Sequence, residues 1–249
     1  MCLIVLGWQA HVEFPLLVAA NRDEFYARPT AFAARWPDTP QVIGGLDLEA
    51  GGTWLGVTES GRFAAVTNVR EPGASKGQRS RGELTRSFLQ SDISAKHYIA
   101  QLDMSEFSGF NLFVSDGHSL YYCSNRHTQA QRLLPGIYGV SNHLLDTPWP
   151  KLVKARQAFA DALPGLPDET PFFDLLADRE QVDDARLPNT GVPQAWERLL
   201  SSIFVQSENY GTRASIVLQQ KIDGSLRLSE RSFGPNGQVL QSSVISTSV

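Results

Sequence analysis

Hairpins at both ends of the chain restrict its fold more than any other feature of the sequence. At the start, the apolar runs CLIVLGW (2–8) and FPLLVAAN (14–21) flank the polar stretch QAHVE, a pattern that reads as two antiparallel strands and their turn. At the far end, SIFVQ, TRASIVLQ, SLRLSERSF and QVLQSSVIS read as strands, with Asp223-Gly224 and Asn236-Gly237 as hairpin turns. Opposed positions in a hairpin sum to a constant, so a turn centred between His11 and Val12 sets Cys2 opposite Asn21. A slip of one or two residues puts Arg22 or Asp23 there instead. In each case the tetrad Asn21, Arg22, Asp23 and Glu24 lands beside the start of the chain.

Between the hairpins the period of the apolar residues changes. QVIGG, TWLGVT and RFAAVTNV read as further strands punctuated by glycine, and FNLFVSDGHSLYYCSN as a hairpin around Asp116-Gly117. SRGELTRSFL opens a helix, with Ser80 and Glu83 at capping-box spacing, and SAKHYIAQL continues as a second. DTPWPKLVKARQAFADAL reads as a long helix capped by Asp146 or Thr147, with Trp149, Leu152, Val153, Phe159 and Leu163 as its apolar stripe. Residues 164–193 are rich in Pro, Asp and Gly, and are expected to form a surface excursion with short helices such as FFDLLAD. Strands joined by hairpins, interrupted by helices rather than regular βαβ units, predict an α+β fold of antiparallel sheets covered by helices. One domain is expected to span residues 1–249.

Composition narrows the function. A net charge of −4 argues against nucleic acid or an anionic membrane as partner. Two cysteines, Cys2 and Cys123, make no disulfide framework, and a reducing cytoplasm fits them best. The apolar start lacks the basic flank and length of a secretory signal, because Gln9, His11 and Glu13 interrupt it. The five histidines show no metal-ligand spacing, so no metal is expected.

Cys2 raises the chemical question. It can be a small apolar strand residue. It can also become the first residue of the mature chain, since Met1 is generally removed before a small second residue. A terminal cysteine carries a thiol and a free α-amine together, a nucleophile with its own base. Retention of Met1 would keep the amine elsewhere and block that route.

The motifs MC at the start, ANRDE (20–24), GGTWLG (51–56), TNVR (67–70), SNHLLDTPWPK (141–151) and YGTRAS (210–215) occur in one order across nearly the whole chain. Together they resemble the NRDE family, which includes the eukaryotic transport and Golgi organisation protein 2. More distantly the chain is similar to the cysteine N-terminal-nucleophile hydrolases, among them bile salt hydrolases and penicillin V acylases. That resemblance implies an αββα sandwich of two antiparallel sheets between helices. It also implies an N-terminal cysteine that attacks a linear amide of an acylated small molecule, surrounded by an aspartate, two asparagines and an arginine. Carried onto this chain, the catalytic set is Cys2, Asp23, Asn68, Asn142 and Arg213. One departure is visible: the acylases place an arginine where this chain has Ala20, and Arg22 is expected on the opposite strand face.

Each role has a physical counterpart. A nearby guanidinium, from Arg213 or Arg22, would enlarge the thiolate fraction of Cys2. Asp23 could orient the α-amine, or it could simply pair with Arg22. Asn142 and Asn68 could donate to an oxyanion, or serve as turn formers. Candidate binding residues around the pocket are Asn21, Arg22, Trp54, which should also pack in the core, and His143. The expected partner is a small-molecule substrate, with no cofactor. An alternative of another class follows from the family alone: a binding or trafficking protein for haem or a lipid metabolite, with Cys2, His11 or His143 as ligands.

Overall fold

Strand alternation builds a layered molecule. The computed structural model describes residues 2–127 and 129–248. In β1 (Cys2–Trp8) and β2 (Leu16–Phe25), Ile4, Leu6, Val18 and Ala20 point into one core, whereas Leu3, Val5, Leu17 and Ala19 point into another. Both faces of these strands are buried, so they sit at the centre of the fold.

Two antiparallel sheets result. The first contains β1, β2, β10 (Gly136–Val140), β11 (Tyr210–Gln220), β12 (Leu226–Phe233) and β13 (Val239–Thr247), in the order β10-β1-β2-β11-β12-β13. The second runs from β3 to β9 in chain order: β3 (Thr30–Trp36), β4 (Thr39–Asp47), β5 (Leu55–Thr58), β6 (Phe63–Asn68), β7 (Phe110–Ser115), β8 (Leu120–Ser124) and β9 (Gln131–Leu133). Ile4, Leu6, Val18, Ile216 and Leu228 of the first sheet pack on Ile43, Leu55, Val57, Phe63 and Phe113 of the second. Helices α1 (Arg81–Leu89) and α2 (Ala95–Ala100) cover the outer face of the second sheet through Leu84, Phe88 and Tyr98. On the other side, α3 (Pro150–Ala162) and α4 (Thr170–Leu176) cover the first sheet through Leu152, Phe159, Phe172 and Leu176. The order is helix, sheet, sheet, helix, the αββα sandwich expected.

Several local expectations are corrected. Cys2 pairs with Arg22, not Asn21, because Trp8 pairs with Leu16 and the turn centres on Val12. SIFVQ forms no strand: the Val205 amide donates to the Thr212 hydroxyl at 2.9 Å and the Phe204 amide to the Asp178 carbonyl at 2.7 Å. The N-cap of α3 is Trp149, with Pro150 at the first position, while Asp146 accepts from the Gly139 amide instead. Val153 is exposed; the buried stripe is Lys151, Leu152, Ala155, Phe159 and Ala162. The 164–193 segment is not wholly an excursion, since α4 forms part of the helix layer.

The capping box at Ser80 and Glu83 forms as its spacing predicts. Its neighbour explains GGTWLG. A Cβ at Gly52 would lie 2.4 Å from the carbonyl carbon and oxygen of Gly82 in the first turn of α1. Backbone must move to make room. Gly52→Ala is expected to destabilise the fold by about 1–3 kcal/mol, read as a lower urea midpoint with an unchanged slope.

Candidate active site

Where β1 begins, the two sheets enclose a cavity of about 460 Å³ that Cys2, Arg22, Asn68, Arg81 and Arg213 help to line. Cys2 is 7% exposed. Burial pushes its thiol above the ordinary range, with Asp23 and Glu24 adding to the rise and Arg22 opposing it. The neighbouring guanidiniums therefore do not outweigh desolvation, and the thiol needs a base. Met1, whose removal would supply one, lies outside the described residues. Cys123 on β8 is 1% exposed in the core, where burial drives its thiol up to about 12. Alkylation above neutral pH, followed by peptide mass spectrometry, is expected to modify Cys2 well ahead of Cys123, because only Cys2 faces a cavity. Equal labelling would show that the cavity does not admit the reagent.

Register sets the orientation of the tetrad. Arg22 lies directly across from Cys2 and shares its face, a correction to the expectation that it points away. It donates to the Thr30 hydroxyl at 3.3 Å and lies 3.7 Å from Asp47, rather than pairing with Asp23. Asn21 points the other way, into the helix layer. Its amide donates to the carbonyls of Leu176 and Ile203 at 2.8 and 2.9 Å and accepts from the Ser215 hydroxyl. It does not line the cavity and pins the sheet to the helices instead.

Asp23 is buried, accepts from the Thr212 hydroxyl at 2.7 Å, and receives the Tyr210 hydroxyl on its backbone carbonyl at 3.2 Å. Burial raises its carboxyl; Lys151 and Arg70 work against that rise. These two cations were not singled out from the sequence, although both stand inside motifs that were. Lys151 closes SNHLLDTPWPK, and its position on the buried stripe of α3, four residues before Ala155, is the signal that marks it. Its ammonium donates to the Leu200 carbonyl at 2.8 Å, and burial lowers it from 10.5 to about 8, with Asp23, Cys2 and Glu197 holding it up. Arg70 ends TNVR and pairs at 2.6 Å with Glu197 on α5 (Gln194–Leu199), both side chains almost fully buried. Glu197 also accepts from the amide and hydroxyl of Thr190. Nothing in the local sequence of α5 distinguishes Glu197 from a surface carboxylate. A four-charge cluster of Asp23, Lys151, Arg70 and Glu197 thus lies behind the nucleophile.

The two asparagines meet. Asn142 is left-handed, with φ of 58°, and its amide donates to the side-chain oxygen of Asn68 at 2.8 Å and to its carbonyl at 3.2 Å. The Asn142 side-chain oxygen is buried and accepts no hydrogen bond from the described residues. Asn68 faces the cavity, and its own amide makes only a 3.5 Å approach to the Val69 carbonyl. Arg213 occupies the bulge in β11 between Thr212 and Ala214, which aims its guanidinium at the carbonyls of Phe25, Tyr26 and Arg28. Arg81, at the first position of α1, also reaches the cavity and donates to the Gly109 carbonyl at 3.1 Å.

Trp54 packs on the inter-sheet core and lines the cavity. His143 does not: it is exposed, hydrogen-bonds with Thr147 at 2.8 Å and lies against Trp149. His11 lies in the turn beyond the far end of β1, about 20 Å from Cys2 along a seven-residue strand. Cys2, His11 and His143 therefore do not converge as a haem ligand set. Among the described residues no group of three His, Cys, Asp or Glu could hold a metal ion, and no helix is long and apolar enough to cross a membrane.

Two facing antiparallel sheets between helices make an αββα fold like that of the N-terminal-nucleophile hydrolases. Solved structures of that class superpose on the chain. A mutant of the conjugated bile acid hydrolase from Clostridium perfringens gives a TM-score of 0.55 at 9% identity, covering 99% of this chain and 92% of that one. The N-acylethanolamine-hydrolyzing acid amidase ortholog from Caenorhabditis elegans gives 0.51 at 13% identity, covering 87% and 92%. At such identities the likeness is one of fold. Sequence goes further: residues 1–235 match the family described as Transport and Golgi organisation 2. The Transport and Golgi organization protein 2 homologs of Bos taurus and Homo sapiens are 36% and 35% identical over 241 residues, 88% of this chain and 87% of theirs. The chain belongs to the Transport and Golgi organisation 2 family.

Proposed function

We propose that this protein is a cysteine N-terminal-nucleophile amidohydrolase that cleaves a linear C–N amide bond of an acylated small molecule. The observation that carries the reading is the placement of Cys2: it opens a central strand, faces a cavity, and stands beside a buried carboxylate held among buried cations. The superposable structures named for amide hydrolysis support it.

In the processed chain the α-amine of Cys2 takes the thiol proton, and Sγ attacks the amide carbonyl. Asp23 holds the amine in place, with Lys151 and Arg70 keeping its carboxylate ionised. The Asn68 amide, fixed by Asn142, donates to the oxyanion. As the tetrahedral carbon collapses, the C–N bond breaks, and the protonated α-amine gives its proton to the departing nitrogen. Water, deprotonated by the same amine, then attacks the acyl-thioester and releases the carboxylic acid and the free thiol. Arg213 and Arg22 shape the cavity around the substrate.

Intact-mass measurement and a screen of N-acyl amides test this together. The expected result is loss of Met1 and turnover of at least one amide. Retained Met1, or saturable binding of a haem or lipid metabolite with no turnover of any amide, would replace the hydrolase by a binding protein on the same fold.

A further inference from the structure

One buried charge in the cavity wall plays no part in the mechanism above. Glu230 on β12 is 4% exposed and lines the cavity. It is in register with Ile216 of β11 and, through it, with Ala20 of β2, whose side chains face the second sheet. Glu230 therefore faces that sheet too. Its Oε1 accepts from the Ala33 amide of β3 at 3.0 Å and from the Ser232 hydroxyl at 2.9 Å. Oε2 accepts nothing from the described residues, and it is not sealed from the cavity. Arg22, the cation whose field reaches Glu230, is engaged by Thr30 and Asp47. Arg213 is turned onto the carbonyls of Phe25, Tyr26 and Arg28. A tie between the sheets would need only an amide oxygen in place of Oε1. A buried carboxylate with one oxygen idle is costly until a cation joins it.

The strands also set how far this group lies from the nucleophile. Cys2, Arg22, Ala214 and Ser232 stand in one row across β1, β2, β11 and β12, and all of them line the cavity. Glu230 lies two residues from Ser232 on the same strand face. Three strand spacings and that step put its backbone roughly 16 Å from that of Cys2. Phe32, Phe233 and Leu240 line the cavity as well and give it apolar wall. We propose that Glu230 is a subsite for a protonated amine, so that the substrate is a linear amide carrying an ammonium group at its end remote from Cys2. This rests on the hydrolase reading only for the group placed at Cys2. Allowing about 3 Å of contact at each end, the spacing fits roughly eight bonds between the scissile carbonyl and the ammonium.

Calorimetric binding to full-length Cys2→Ala, which needs no turnover, tests this. The probes are mono-N-acetylhexamethylenediamine, with the ammonium on the amine side, and N-methyl-ω-aminooctanamide, with it on the acyl side. N-heptylacetamide and N-methylnonanamide are their neutral isosteres. In at least one pair the charged probe is expected to bind at least about tenfold more tightly than its isostere. Glu230→Gln, which keeps an oxygen for the Ala33 amide, should erase that preference and leave the affinity for the isostere unchanged. Binding of a charged probe with this preference, alongside no amide turnover in the parent chain, would uphold the subsite and remove the hydrolase. No charged preference in either pair, or tighter binding of acetamidohexanoate than of the acetylated diamine, would overturn the proposal. Equal loss of charged and neutral probes in Glu230→Gln would do so too, and would leave Glu230 as a tie between the sheets.

Discussion

Cys2→Ala is expected to abolish the proposed amide hydrolysis, by roughly 10⁴-fold or more, because no other group would form the acyl-thioester. The fold should hardly notice. The side chain ends a strand beside a cavity, so removal of one sulfur costs about 1 kcal/mol or less and leaves the register of β1 with β2 intact. Cys2→Ser is the sharper measurement. Burial already raises the thiol, and the same surroundings would hold a hydroxyl still further from ionisation, so attack slows steeply with shape preserved. Kinetic assays beside urea denaturation read both quantities from one preparation. Activity surviving in Cys2→Ala would remove the nucleophile from the reading altogether.

The hairpins show why the layers could be read from the sequence and the site only in part. Alternation in CLIVLGW and FPLLVAAN fixes which residues face inward, and turn signals at Asp223-Gly224 and Asn236-Gly237 fix the direction of return. Turn length is less legible: a shift of the turn centre from between His11 and Val12 onto Val12 itself moved Arg22 opposite Cys2. SIFVQ misleads for another reason. Its apolar residues are buried as in a strand, yet the partners of its backbone come from distant side chains and loops. Asn21 shows the same limit at the site. A polar residue beside a nucleophile suggests binding, but the face it takes makes it a structural tie to Leu176 and Ile203. Glu197 and Lys151 lie more than 100 residues from Asp23 in sequence. Only the packing of α3 and α5 over the first sheet puts their charges behind it.

That buried cluster gives the second large effect. Lys151→Met is expected to leave the protein more stable at pH 7 and nearly inactive, an outcome opposite to that of most buried substitutions. Burial lowers the ammonium from 10.5 to about 8, a difference of roughly 3 kcal/mol against the folded state at neutral pH. Loss of the hydrogen bond to the Leu200 carbonyl returns about 1 kcal/mol of that, so the variant should gain about 1–2 kcal/mol. The sign with pH follows from linkage. Between about pH 8 and 10.5 the unfolded chain holds a proton that folded Lys151 has released, so this lysine's contribution to wild-type stability improves as pH rises through that window. The advantage of Lys151→Met is therefore full below pH 8 and fades towards pH 10.5. Activity moves the other way. Asp23, already raised by burial, loses one of the cations that oppose the rise, so the acid limb of kcat/KM shifts to higher pH. Lys151→Arg keeps the charge and should restore the limb at least in part. A loss of several kcal/mol at pH 7 with an unmoved pH profile would make Lys151 a tie between α3 and Leu200 and nothing more.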